Sequence, residues 1–169
     1  MYPHFFTATI KDWIHILKED EYKNIITESL QFLVSEKRIK VYAFVIMPNH
    51  IHIIWQMLGE NLYNNVQRDF LKFTAQRIKY KLLKTDTKIL NQFESNNKDR
   101  KYQIWKYNSL SIELYSKSVL EQKLNYIHQN PIKEKWQLAN NIEDYKYSSA
   151  SYYVNGQSDF KFISNYFEE

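Results

Sequence analysis

Apolar and polar positions along the chain alternate with two different periods. Residues 3–10 (Pro-His-Phe-Phe-Thr-Ala-Thr-Ile) are rich in aromatic and β-branched types and predict a first strand. Over 20–36, Tyr22, Ile25, Ile26, Leu30 and Leu33 recur at 3–4 spacing, which predicts a helix with Asp20 as its N-cap. Residues 39–47 form a nearly continuous apolar run, the pattern of a buried central strand. Pro48-Asn49 signals a turn, and residues 50–57 resume as a strand, so the two pair as a hairpin. Residues 61–84 predict a long helix with Leu62, Val66, Phe70 and Phe73 on one stripe. Residues 85–101 are polar and poorly patterned and predict an exposed loop; 103–107 predict a short further strand. Ser116 or Ser118 caps a helix running to about Gln129, where Pro131 stops it by disfavouring helical geometry in the residue before it. The last 30 residues show no clear period and are expected to be irregular.

The order β-α-β-β-α-β-α predicts an α+β fold, a ferredoxin-like antiparallel sheet with helices on one face, within a single domain spanning 1–169. Composition narrows the chemistry. There is no cysteine, which excludes disulfides, zinc ribbons and thiol nucleophiles. The two glycines, Gly59 and Gly156, are too few for a phosphate-cradling P-loop or a dinucleotide fingerprint. No apolar run approaches a membrane span and the start lacks a secretory signal pattern, so the expected setting is cytoplasmic and nucleoid-associated, with no membrane partner. Net charge is +4, but it is uneven: residues 66–135 hold 15 basic and 7 acidic side chains. A basic middle is the footprint of a polyanion partner, or the solvated face of a Lys-rich helix.

Two segments carry candidate chemistry. In Pro48-Asn49-His50-Ile51-His52-Ile53-Ile54-Trp55, strand alternation puts His50 and His52 on one face and Ile51, Ile53 and Trp55 on the other. Two neutral imidazoles so placed make a metal pair; the plainer alternative is two hydrogen-bonded histidines on a half-buried strand. In Asn125-Tyr126-Ile127-His128-Gln129-Asn130-Pro131, Tyr126 and Asn130 are four residues apart on one helical face, so a phenol and a carboxamide converge. The alternative is that Tyr126, one of 14 tyrosines, only packs. His128 points away from that face and reads as structural or as a DNA contact.

Together, Tyr42-Ala43-Phe44-Val45-Ile46-Met47-Pro48-Asn49-His50-Ile51-His52 and Tyr126-Ile127-His128-Gln129-Asn130-Pro131-Ile132-Lys133 resemble the single-tyrosine HUH transposases, most of all the REP-associated tyrosine transposases. Phe5-Phe6-Thr7-Ala8-Thr9, Ser111-Ile112-Glu113-Leu114 and Glu143-Asp144-Tyr145-Lys146-Tyr147-Ser148-Ser149-Ala150 support the likeness, which spans roughly residues 3–153. The resemblance implies a DNA strand transferase and nickase with its histidine pair on a central strand. It implies a divalent metal, Mg²⁺ or Mn²⁺, held by His50, His52 and Asn130, with Tyr126 as the nucleophile that keeps a 5′-phosphate and frees a 3′-hydroxyl. The expected partner is single-stranded DNA with a hairpin or palindromic repeat, and family members include homodimers. A phenol needs a neighbouring cation to ionise at neutral pH, and imidazole ligands favour Mn²⁺ over the harder Mg²⁺. Arg68, Lys72, Arg77, Lys79, Lys81 and Lys84 on or beside the second helix, and Lys98, Arg100 and Lys101 in the loop, are the expected phosphate contacts. One departure is visible: relatives often carry Asn-His-Pro-Ile-Glu-Leu before the tyrosine helix, where this chain has Asn108-Ser109-Leu110-Ser111-Ile112-Glu113-Leu114 and no histidine.

A DNA-hairpin or repeat-binding protein that keeps the fold without the chemistry is the main alternative. A metal-independent two-histidine phosphoesterase would need a second His-x-Thr-like motif, and a His-Glu-x-x-His metalloprotease motif is absent.

Overall fold

The computed structural model describes residues 1–168. Strands β1 (His4–Thr9), β2 (Ile39–Met47) and β3 (His50–Met57) form where the β-branched and aromatic runs predict them, and β4 (Leu110–Glu113) completes a four-stranded sheet. The order is β2-β3-β1-β4 with every neighbouring pair antiparallel, the ferredoxin-like arrangement. Helices α1 (Asp20–Ser35) and α2 (Tyr63–Thr85) connect β1 to β2 and β3 to β4.

The sheet is covered on both faces, which corrects the expectation of helices on one face. Phe6, Ala8, Ile51, Ile53 and Trp55 pack against α1 and α2. Phe5, Ala43, Val45 and Ile54 point the other way, where α4 (Lys117–Gln129) lays Leu120, Leu124 and Ile127 on them. Burying each such side chain is worth about 1.5–3 kcal/mol, enough to hold a 13-residue helix across that face. Ser116 caps α4 through its hydroxyl, which accepts from Val119 N–H.

Strand β2 lies at a sheet edge, not in the centre, although its residues are buried. The C-terminal segment explains this. Ile46 N–H donates to Tyr147 C=O, Ser149 N–H to Phe44 C=O and Ser164 N–H to Val41 C=O, so the residues expected to be irregular sheathe the open edge. Within that segment α5 (Ala150–Asn155) ends on Gly156 at φ 70°, a left-handed cap that favours glycine.

Four further expectations differ in detail. The N-cap of α1 is Glu19; Asp20 is already helical and pairs with Lys23 at 3.2 Å. Along α2 the buried row is Val66, Phe70, Thr74, Ile78 and Leu82, at strict four-residue spacing. Phe73 therefore faces solvent at 47% exposure, and Leu62 is exposed just ahead of the helix. The loop at 85–101 contains α3 (Thr87–Asn91), capped by Asp86 and anchored by buried Leu90 and Phe93. Residues 103–107 extend alongside the end of β1 through an Ile10–Trp105 bridge and a Lys106 N–H to Thr9 C=O bond, without becoming the fourth strand. Trp105 turns into the core to donate to Thr74 Oγ1, and Asn108 at φ 62° redirects the chain into β4.

Candidate active site

The alternation of β3 delivers its histidines to the α4 face. Their ring centroids are 4.9 Å apart. Each imidazole is oriented through Nδ1. Asn49, in the hairpin turn, accepts from His50 Nδ1–H at 2.7 Å. Thr7 stands opposite His52 in the β1–β3 register, with Oγ1 2.6 Å from Nδ1. A donor role for both Nδ1–H groups leaves the lone pairs on Nε2, the tautomer a metal ligand needs. His52 is only 5% exposed, and its Nε2 has no hydrogen-bond partner among the described residues.

Helix α4 brings the tyrosine to the same place. The Tyr126 ring stands edge-on to His52 at 5.4 Å and to Phe5 at 6.0 Å, and is 42% exposed. Asn130, one turn on, keeps helical φ/ψ at the junction with a 3₁₀ turn that Pro131 begins to close. It is 3% exposed and its amide Nδ2 is a second buried atom without a partner among the described residues. Leaving His52 Nε2 unpaired costs about 1–3 kcal/mol, a cost that structural histidines ordinarily avoid; at Asn130 the Nδ2 is a donor, and the carboxamide Oδ1 is the atom able to bind a cation.

Electrostatics keep the imidazoles neutral. Burial, with help from Lys135 and Lys133, lowers His50 from 6.5 to about 4. Burial, then the charge of His50, then Lys133 and Lys123, lower His52 to about 3. Neutral imidazole is the form that binds metal. The donor set of two imidazole nitrogens and a carboxamide fits a divalent cation. It carries no charge of its own: no group of three or more His, Asp or Glu side chains gathers among the described residues. Such a set leaves coordination positions for anionic oxygens from a substrate.

The expected phosphate contacts separate into groups. Arg68, Lys72, Lys79 and Arg100 line a cleft of about 800 Å³ between α2 and residues 99–109. Arg77 and Lys81 instead pair with Glu28 and Glu21 of α1, each at 3.2 Å. Lys98 and Lys101 line a second hollow in the 94–101 loop, and Lys84 lies exposed near the end of α2. His128 is buried, with Nε2 2.8 Å from Ser149 Oγ, so it ties α4 to the C-terminal segment and does not face the histidine pair.

Several residues at the site were invisible as site residues in the sequence. Thr7 and Asn49 lie inside quoted motifs, but their roles depend on strand register and turn geometry. Trp136 closes over His50 at 5.7 Å. Lys133 and Lys123 flank the Tyr126 ring. Lys123 follows from helical spacing, one turn before Tyr126, only once α4 is known to face the histidines, and Lys133 arrives from the chain beyond the 3₁₀ turn that ends α4.

No protein-family model and no curated protein matches the chain. Solved structures do. A REP-associated tyrosine transposase bound to a REP hairpin superposes with a TM-score of 0.67 at 16% identity, over 97% of this chain and 86% of that one. A provisionally assigned transposase of Deinococcus radiodurans superposes with a TM-score of 0.49 at 14% identity, over 76% of this chain and 92% of that one. The chain is thus similar in structure to a REP-associated tyrosine transposase and has its α+β fold. No helix among the described residues is long and apolar enough to cross a membrane.

Proposed function

We propose that this chain is a metal-dependent tyrosine transposase that nicks and rejoins single-stranded DNA at a hairpin or palindromic repeat. The observation that carries the reading is the 5.4 Å approach of Tyr126 to His52, itself 4.9 Å from His50, all within one chain. A likeness in fold to a transposase bound to a REP hairpin supports the same class of partner.

In this reading Tyr126 Oη attacks the phosphorus of a phosphodiester. The Oη–P bond forms, the P–O3′ bond breaks, and the departing 3′-oxygen takes a proton while the phenol gives one up. A 3′-hydroxyl from a second strand end reverses the step and releases Tyr126. The covalent link conserves the phosphodiester energy, so no nucleotide cofactor is required. His50 and His52 through Nε2, with Asn130, would hold a divalent cation, Mg²⁺ or Mn²⁺, which when bound acts as a Lewis acid on the phosphate. Asn49 Oδ1, an acceptor, suits Nδ1–H on His50, and Thr7 Oγ1 would accept from Nδ1–H of His52 in the ligand tautomer. The completeness of the couple within one chain favours attack on DNA held by the same subunit, and a homodimer is not needed to assemble it.

The basic cleft fits a path for the flanking DNA. It ends at Ser109. The next residue, Leu110, pairs with Thr7, and Thr7 pairs with His52. Two strand spacings of about 4.8 Å separate the backbone at the end of the cleft from that of His52 by roughly 10 Å, with the cleft on the α2 side of the sheet and the imidazoles on the α4 side, so DNA running between them passes around the β4 edge. Cationic side chains there position phosphates without reading sequence.

Incubation with a single-stranded hairpin oligonucleotide and Mn²⁺ tests the reading. A covalent protein–DNA band that Tyr126→Phe abolishes supports it. Hairpin binding without chemistry is the second reading, favoured by the lack of any carboxylate in the donor set; tight binding with no covalent band would select it.

A further inference from the structure

Two ammonium groups lie near the ring of the candidate nucleophile, and neither has a carboxylate within ion-pair distance among the described residues. Lys133 Nζ lies 4.2 Å from the Tyr126 ring centroid and Lys123 Nζ lies 5.7 Å from it. Lys123 reaches this position by laying its half-buried stem on Phe5, with Nζ 4.9 Å from that ring. A third cation, Lys135, sits over Trp136 at 5.3 Å, and Trp136 in turn closes over His50. Elsewhere Lys11, Lys23, Lys81, Lys117, Arg38 and Arg77 each lie within 4 Å of a carboxylate. No such ion pair engages Lys123, Lys133 or Lys135 among the described residues. Gathering cations without ion pairs beside neutral imidazoles and a neutral carboxamide builds a locally positive field.

We propose that Lys123 and Lys133 form a phosphate clamp across Tyr126, with Lys135 extending it past His50. The inference rests on the strand-transferase reading and deepens it by assigning groups that take the phosphate at the nucleophile. A compact ammonium on a flexible stem suits a phosphate oxygen, and its three donors adapt as the phosphorus changes geometry. During transfer the Oη–P bond forms before or as the P–O3′ bond breaks, and extra negative charge gathers on the non-bridging oxygens. The side chains of His50, His52 and Asn130 are uncharged, so beyond any cation they hold, the charge that meets those oxygens comes from the lysines. Lys123 approaches from one helical turn before Tyr126 and Lys133 from the turn after α4, so two separate segments bring cations to the one ring. Neither transfers a proton in this scheme; both hold charge and position.

The test separates the clamp from the chemistry. Binding of a short fluorescent oligothymidylate is followed by anisotropy, in EDTA, on the Tyr126→Phe background, across salt concentrations. Lys123→Gln and Lys133→Gln are each expected to reduce the salt slope by about 0.7, so that affinity falls roughly threefold less between about 50 and 200 mM salt. Lys133→Arg keeps the slope, because charge and reach persist. Thermal melting of each variant shows whether the fold is retained. A wild-type slope in the Lys123→Gln, Lys133→Gln double variant overturns the clamp. Failure of the transferase reading looks different: the protein carrying Tyr126 forms no covalent adduct, while the slope still drops in the lysine variants.

Discussion

Thr7→Val isolates the role of one hydroxyl. Valine keeps the β-branched shape, so β1 and its pairing with β3 persist. What is lost is the Oγ1 that stands 2.6 Å from His52 Nδ1. His52 is almost fully enclosed, so water cannot replace the partner. An Nδ1–H left without an acceptor costs about 1–3 kcal/mol. The ring can escape that cost by moving its proton to Nε2, which removes the lone pair needed for a metal. Orienting partners of this kind are typically worth about 10–100-fold in metal affinity. Two measurements follow. Urea unfolding in EDTA reports the stability loss. Mn²⁺ titration with a hairpin oligonucleotide, read by loss of the free-ion EPR signal, reports affinity. Thr7→Val should weaken Mn²⁺ binding by about 10–100-fold, and Thr7→Ser should stay near wild type. A Thr7→Val protein with wild-type affinity and wild-type stability would refute an orienting role for Thr7 at His52.

Acid should destabilise the fold earlier than carboxylates alone would cause. His52 and His128 are lowered by burial to about 3 and about 4, so between pH 6.5 and 4 the unfolded chain takes up protons that the folded chain refuses. Stability therefore falls as pH drops through that window, by about 2 kcal/mol for each of these histidines at pH 5; urea midpoints that do not change from pH 7 to 5 would contradict it. Lys72→Gln with Lys79→Gln should lower the salt slope of oligonucleotide binding, since both line the cleft. Arg77→Gln with Lys81→Gln should leave that slope alone and cost less than about 1 kcal/mol per lost pair, since those side chains serve exposed links to α1. Equal slopes in the two double variants would remove the distinction between cleft and helix-pairing cations.

Local pattern made much of this molecule readable. The ends of β2 and β3 match the apolar runs because Pro48-Asn49 separates them, and the His50/His52 face follows from period two alone. The Tyr126–Asn130 spacing likewise follows from helical geometry, confirmed by the helical backbone at Asn130. What depends on contacts distant in sequence was not readable. β2 has the composition of a central strand because the C-terminal segment buries its outer edge, and that segment has no period of its own. Trp105 has strand-like neighbours, yet it is spent on the core and on Thr74, leaving the weaker Leu110–Glu113 run to pair with β1. Phe73 matches an i+3 stripe on paper, whereas α2 crosses the sheet along an i+4 row. Basic residues show the same limit: Arg77 and Lys72 are alike in sequence, and only the position of α1 assigns one to an ion pair and the other to the cleft.

In the proposed reaction Tyr126 becomes joined to DNA at the histidine pair. Denaturing electrophoresis of the protein with a labelled hairpin oligonucleotide and Mn²⁺, followed by mass spectrometry of the shifted band, measures this directly. The expected product is a nucleotide-bearing peptide containing Tyr126, formed by the wild type, lost in Tyr126→Phe and lost in His52→Ala. An adduct on another residue, or cleavage that persists in Tyr126→Phe, would contradict it.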